Sequence, residues 1–459
     1  MSDPVILWFR RDLRLSDHAA LIAAAQEGPV VPVYILDDET PKHRAMGGAS
    51  RWWLHHSLAS LDNALRDKGS RLILRRGRSA DALDRLCNEI GTKKVHTIRH
   101  YEPWWINAEK NAAKSLDLSF YDGNYLLRPG TLRTGSGGAY KIYTPFMRAM
   151  MEYMPPPEPA RRPPRIDAPA TWPDSERLAD WESLPTRPNW ATGLAKEWEP
   201  GEDGARKRLK RFRDHVADYD EARNLPSQEG SSRLSAHLHF GEISPTAVWH
   251  ALHGKGRGES TFLRELIWRD YAQNVVFALP DYGKRNGKPQ FDAMPWRDHE
   301  GEAAADLAAW RAGRTGYPIV DAGMRQLWAT GWMHNRVRMI AASFLVKHLL
   351  IDWRVGEQWF WDTLVDADYG NNAVNWQWVM GSGIDANMFV RIMAPLTQSE
   401  KFDAGGYIRH WVPELADLDD PWVHDPEAHG CRPSAYPPKV IGHREARARA
   451  LAAWDMIKG

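Results

Sequence analysis

Two cysteines in 459 residues, Cys87 and Cys431, are too few for a disulfide framework, a four-cysteine zinc site or an iron–sulfur cluster, and no metal site is expected. Charge of one sign is lacking as well: 60 Lys and Arg stand against 59 Asp and Glu, a formal net charge of +1. No global basicity announces a polyanion, so an anionic partner must be met by a local patch. No uninterrupted apolar run is long enough to cross a bilayer, so no membrane partner is expected. Met1-Ser2-Asp3-Pro4 has no basic region before an apolar core, which argues against a signal peptide and makes the cytoplasm the default location. No G-x-G-x-x-G follows the first strand-like run, and Gly135-Ser136-Gly137-Gly138 reads as a loop.

Tryptophan is abundant, with 23 residues. A single Trp usually means core, because its ring buries much area. Three are set apart by their surroundings: Met294-Pro295-Trp296, Leu350-Ile351-Asp352-Trp353 and Asn371-Asn372-Ala373-Val374-Asn375-Trp376-Gln377-Trp378. Indole loses one electron readily without breaking, so a file of such rings can carry an electron between a buried cofactor and the surface.

The length exceeds what one core usually supports, so two domains are expected. Apolar runs at Val5-Ile6-Leu7-Trp8-Phe9, Val30 to Leu36, Arg71 to Leu74 and Val95 to Ile98 alternate with helical stretches at 18–26, 49–67 and 80–90. That alternation predicts a parallel sheet covered on both faces, a Rossmann-like α/β domain over 1–130. Prolines crowd the stretch from Met154 to Pro188 and predict an extended linker, placed at 131–200. From about Gly201 the apolar period becomes helical, over 204–219, 261–279, 322–331, 336–350 and 357–364, which predicts an all-α domain over 201–459.

These motifs resemble the photolyase/cryptochrome family across nearly the whole chain. Trp8-Phe9-Arg10-Arg11-Asp12-Leu13-Arg14, Phe262-Leu263-Arg264-Glu265-Leu266-Ile267-Trp268-Arg269, Gly316-Tyr317-Pro318-Ile319-Val320-Asp321 and Asp366-Ala367-Asp368 carry the likeness, with the tryptophan motif. The nearest branches are the bacterial class I and class III repair enzymes related to plant cryptochromes. The resemblance implies FAD, active as FADH⁻. A Gly-Ser-Ser loop entering a helix offers N–H groups and hydroxyls to a pyrophosphate. The family pattern places Tyr219, Ser231, Ser232, Arg233, Leu234 and Ser235 there, although Ser-Ser before a helix is by itself a plain N-cap. It adds Phe262, Glu265, Arg269, Asn335, Asp368 and Asn372 to the flavin cavity, with Arg338 and Asp366 as an ion pair beside the ring. It also implies that Trp296, Trp353 and Trp376, in that order inward, pass electrons to the flavin.

By the same resemblance, Glu265, Trp268, Met339, Asn372 and Trp378 form the catalytic set for light-driven splitting of cyclobutane pyrimidine dimers, a carbon–carbon lyase reaction. Trp268 and Trp378 would be aromatic walls for a flipped dimer and Glu265 would hydrogen-bond its polar edge, with Met339 against it. Asn372 faces flavin N5 in the repair branch, where plant cryptochromes put Asp. Two alternatives compete. A (6-4) repair enzyme needs a histidine pair, but Asn335 and Met339 stand in Met333-His334-Asn335-Arg336-Val337-Arg338-Met339 where its second and last histidines would be. A blue-light photoreceptor carries a long C-terminal tail, whereas this chain stops near the family core. The DNA partner would be gripped by Arg223, Arg336, Arg391 and Lys401. The basic run at 206–213 is at least as well explained as a solvated helix face. The antenna is left open: methenyltetrahydrofolate first, a deazaflavin second, or an empty site. Tyr101-Glu102-Pro103-Trp104-Trp105 lacks the common folate-binding pair. The expected state is a monomer.

Overall fold

The computed structural model describes residues 3–254, 256–386 and 389–458; Met1 and Ser2, read above for a targeting segment, lie outside them. The chain forms two compact units. One comprises Met1–Val216, Ser232–Pro280 and Val365–Asp368; the other comprises Ala217–Ser231, Asp281–Leu364 and Tyr369–Gly459.

In the first unit, β1 (Val5–Phe9), β2 (Val30–Leu36), β3 (Ile73–Arg76), β4 (Lys94–Ile98) and β5 (Asp117–Tyr121) form a parallel sheet in the order β3-β2-β1-β4-β5. The register pairs Val5 with Val30 and Phe9 with Tyr34 across β1 and β2, and Leu7 with His96 across β1 and β4. Helices Ala19–Glu27, Gly48–Arg66, Ser79–Ile90 and Pro103–Ala112 supply the crossovers. Every residue of β1 and β2 is buried, as unbroken apolar runs require when both faces are covered. Ile6, Trp8, Val31, Val33 and Ile35 pack with Leu83 and Leu86 of the helix Ser79–Ile90. β5, which the sequence analysis did not anticipate, reads Asp-Leu-Ser-Phe-Tyr and is nowhere fully buried. An edge strand needs no continuous apolar run, so hydrophobicity alone does not mark it.

The proline-rich segment runs along this unit. Val30 N–H donates to Asp167 O (2.8 Å), Glu176 N–H donates to Leu74 O (3.0 Å), and the Arg71 guanidinium lies 5.0 Å from the Trp172 ring centre. The helix Glu259–Ala278 then captures the chain after β5. Asp270 Oδ1 accepts from Leu127 N–H (3.1 Å), Gln273 Oε1 from the Tyr125 hydroxyl (2.9 Å), and Asn274 Oδ1 from Gly130 N–H (2.8 Å). Gly130 has a φ of +86°, and a Cβ there would drive into the Phe277 ring, so this capture requires glycine.

The second unit is helical. Pro318–Thr330, Asn335–Ser343, Trp353–Thr363, Tyr369–Met380 and His443–Asp455 are its main helices. The helix from Asn335 continues into a π turn at Phe344–His348. Asp321, fully buried, accepts from Thr315 N–H and Oγ1–H, Gly316 N–H and the Tyr436 hydroxyl, which pins the turn before Pro318. Val337, Ile340, Leu345, Trp353, Phe360, Ala373 and Trp376 are all buried. Among the described residues no helix is long and apolar enough to cross a membrane.

Candidate cofactor and lesion site

In the first unit the helix Glu259–Ala278 carries Phe262, Glu265, Trp268 and Arg269, spaced three, three and one apart, so they climb successive turns. Phe262 is buried against Phe212 at 4.7 Å between ring centres, while Glu265 and Trp268 are half-buried. The Trp268 indole lies flat against Tyr143, which the sequence analysis did not mark. Arg269 donates to backbone carbonyls of Asn124 and Leu238.

Asp368 is buried, with Oδ2 3.7 Å from His239 Nδ1 and 4.0 Å from an Arg11 nitrogen. Burial opposes its charge. The nearby His239 ring and the charges of Arg11 and Arg269 outweigh burial and hold the carboxyl well below the usual range. Arg11 also pairs with the buried Glu102. An ionised carboxylate set among cations suits a polar cofactor edge, and only the fold brings residue 368 to residues 11 and 239.

The segment Glu229-Gly230-Ser231-Ser232-Arg233-Leu234 is non-helical and half-open, and leads into the short helix Ser235–His239. Arg233 has a φ of +51°, and its guanidinium is taken by Glu197. What Arg233 offers an anion is therefore backbone N–H, as the left-handed turn presents it. Ser231 closes the second unit's share of this segment and Ser232 opens the first unit's.

In the second unit, Asn372 is buried on the helix Tyr369–Met380. Its amide nitrogen donates to Glu357 O (3.0 Å) and to Glu357 Oε1 (2.9 Å). Two acceptors on one side fix the amide's orientation, which ordinary hydrogen-bonding ambiguity would leave open. The carbonyl oxygen of Asn372 then has no partner among the described residues and remains the group it can present. Glu357, itself fully buried, is a second residue that motif reading missed. Its signal is faint, an acid in a helix of aromatics. Arg338 donates through Nε to Met333 O (2.7 Å); it lies in the second unit and Asp366 in the first. Asn335 is exposed, and Met339 and Trp378 are half-buried.

Trp353 and Trp376 are buried and Trp296 is half-buried. Trp353 Nε1–H donates to Asn286 Oδ1 (3.0 Å). Trp376 meets Phe360 at 5.0 Å and Trp310 at 6.5 Å. Its indole lies over Gly356, one turn along the helix that Trp353 opens; a Cβ at Gly356 would collide with it. Glycine lets the helices bearing Trp353 and Trp376 approach closely.

The four predicted phosphate contacts share this unit. Arg336 pairs with Asn224 and lies 4.3 Å over the Phe402 ring, with Lys401 5.3 Å from the same ring. Arg223 covers Tyr219 at 5.3 Å. Burial lowers the Arg336 pKa, and the like charges of Arg223 and Arg391 lower it further, so the three cations share one neighbourhood. The exposed Arg391 is anchored by its backbone: the buried Lys347 donates to its carbonyl at 2.9 Å. By contrast, Arg206 and Lys207 are engaged by Glu202 and Glu199, as a solvated helix face would be.

A parallel α/β unit and a helical unit with an oriented amide, buried tryptophans and a group of cations define a class of two-unit α/β and helical proteins. Residues 5–164 match the family model described as DNA photolyase, and residues 262–456 match the one described as FAD binding domain of DNA photolyase. The chain is 46% identical to the deoxyribodipyrimidine photo-lyase of Agrobacterium fabrum, covering 99% of this chain and 98% of that protein. It is 34% identical to cryptochrome-1 of Arabidopsis thaliana, covering 98% of this chain and 70% of that protein. A bacterial class III photolyase from Agrobacterium tumefaciens superposes with a TM-score of 0.94 at 46% identity, covering 100% of this chain and 98% of that one. The chain belongs to the DNA photolyase family. The match to its FAD-binding domain assigns FAD as cofactor. The residues fit that group: Asn372 can offer its carbonyl oxygen, and the Ser231–Ser235 segment can offer N–H and O–H donors.

Proposed function

We propose that this chain is a light-driven lyase that splits cyclobutane pyrimidine dimers in DNA. Bound FAD, as FADH⁻, supplies the electron that light lends to the dimer and that returns after ring opening. The chain's own residues do the rest. Trp268 and Trp378 wall the lesion, Glu265 hydrogen-bonds its carbonyl and N–H edge, and Met339 packs against it. Asn372, held by Glu357, presents its carbonyl oxygen to the flavin. Tyr219, Ser231, Ser232, Arg233, Leu234 and Ser235 hold the phosphates, and Phe262, Arg269, Asn335, Arg338, Asp366 and Asp368 line the remaining cofactor cavity. Trp296, Trp353 and Trp376 pass electrons inward to prime the cofactor. Arg223, Arg336, Arg391 and Lys401 grip the phosphates around the lesion.

The observation that carries repair over signalling is Asn372 with its amide clamped by a buried glutamate, where the plant receptors resembled by this chain have Asp. The test is illumination of the reduced protein with a dimer-containing oligonucleotide. Dimers disappear in light and persist in the dark. If none is lost under light while the flavin stays reduced, the photoreceptor reading replaces this one.

The antenna reading keeps methenyltetrahydrofolate first and a deazaflavin second. An apolar cleft of about 260 Å³ beside Tyr101, Ile106, Phe120 and Phe277 in the first unit, rimmed by Arg99 and Lys110, supports a flat ligand there. Near-UV absorption of gently purified protein identifies it. The protein acts as a cytoplasmic monomer, divided functionally into an antenna domain at 1–130, a linker at 131–200 and a catalytic domain at 201–459.

A further inference from the structure

Trp268 has a partner. Tyr143 opens the helix Tyr143–Met151, and its ring lies 3.5 Å from that of Trp268, centre to centre, with only 6° between the planes. Aromatic pairs ordinarily sit offset or edge-on at about 4.5–7 Å, because both faces carry negative charge. Face-to-face overlap persists where surrounding groups impose it, and here they do. The Tyr143 hydroxyl donates to Arg264 O (3.1 Å), about one helical turn before Trp268. Tyr271 meets both rings edge-on, at 5.7 Å from Tyr143 and 5.6 Å from Trp268, and Phe146 backs Tyr271 at 5.5 Å. Tyr143 is buried and Trp268 half-buried. One face of the indole is therefore covered by a flat, tethered ring, and a flat ligand can stack only on the other.

We propose that Tyr143 is a positioning residue for lesion recognition, which fixes Trp268 as a rigid, one-faced wall. A side chain already held in its bound orientation has little freedom left to lose when a base stacks on it. Tyr143 itself touches no substrate; it acts through Trp268, and the inference rests on Trp268 being a wall of the dimer pocket.

The test compares Tyr143→Leu, Tyr143→Phe and Trp268→Ala in the FAD-loaded protein. Affinity is measured for a thymine-dimer oligonucleotide and for its undamaged counterpart. Stacking on an aromatic ring contributes substantially to binding each base, so losing the backing ring is expected to weaken dimer binding by roughly five- to tenfold. Undamaged DNA, held through phosphates, should bind Tyr143→Leu as it binds the parent, with flavin photoreduction unchanged and a cooperative melting transition kept, lowered only by the lost packing. Tyr143→Phe should restore dimer binding to within about twofold, since the ring is kept and only one hydrogen bond is lost. In a Trp268→Ala background, Tyr143→Leu should add nothing. If Tyr143→Leu binds the dimer like the parent while Trp268→Ala is weakened, the inference fails and the pocket reading stands. If Trp268→Ala also binds like the parent, both fail. Equal losses on damaged and undamaged DNA would mark a merely structural role and overturn it. Should Tyr143→Leu lose its melting transition, Tyr143→Met, which fills the volume without a flat face, is read in its place.

Discussion

At Asn372 the fold settles a question of one amide. Glu357 accepts both hydrogen bonds from its nitrogen, so the carbonyl oxygen is turned away from the glutamate. Asn372→Asp would set a second carboxylate oxygen where the nitrogen now lies, 2.9 Å from Glu357 Oε1. Two buried carboxylates that close cannot both stay charged, so one would hold a proton at a raised pKa. The variant is expected to stop accumulating fully reduced flavin in light and to lose repair on the order of tenfold or more, a barrier change of about 1.4 kcal/mol per factor of ten. Absorption spectra under illumination check this. If the variant holds reduced flavin as the parent does, Asn372 serves only the helix.

Elements decide what such residues can reach. The π turn at Phe344–His348 sets Lys347 into the core, where its ammonium lies 5.4 Å over the Phe389 ring and donates to Arg391 O. Burial first, then the charge of Arg391, brings the Lys347 pKa down to about 7. Between about pH 7 and the ordinary lysine value, the unfolded chain holds a proton that the folded chain has released. Raising the pH through that window therefore favours the folded state, by at most about 1.4 kcal/mol per unit from this one group. Lys347→Met should flatten that rise in melting temperature between pH 7 and 9. An unchanged pH slope in the variant would show that Lys347 keeps its proton. Gly356 acts at the same scale, since its missing side chain sets the spacing between two tryptophan-bearing helices.

For the whole molecule, a net charge of +1 makes any grip on DNA a matter of distribution. Arg223, Arg336 and Arg391 come together from three distant stretches of the chain, with Lys401 beside the ring that Arg336 covers. Each phosphate neutralised contributes roughly 0.7 to 0.9 to the slope of log affinity against log salt. Affinity for damaged DNA should fall steeply between 50 and 200 mM salt (roughly, as a working range), and Arg336→Ala should reduce the slope by about one unit. Binding indifferent to salt, or a slope untouched by that substitution, would move the DNA interface elsewhere.

The sequence by itself determined the alternation of buried strands and helices, because runs such as Val5–Phe9 and Val30–Leu36 have no other way to leave water. It also marked the tryptophans, the Gly-Ser-Ser segment and Asn372, since these lie within short motifs whose residue types constrain one another. It did not mark β5, an edge strand without an apolar run. Nor did it show that Glu357 orients Asn372, that Tyr143 backs Trp268, or that His239 and Arg11 hold Asp368 ionised. Each of these is a contact between residues separated by 15 to more than 300 positions. Motifs report chemistry carried locally along the chain, whereas the orientation of an amide, the covered face of an indole and the charge of a buried carboxylate depend on neighbours that only tertiary packing supplies.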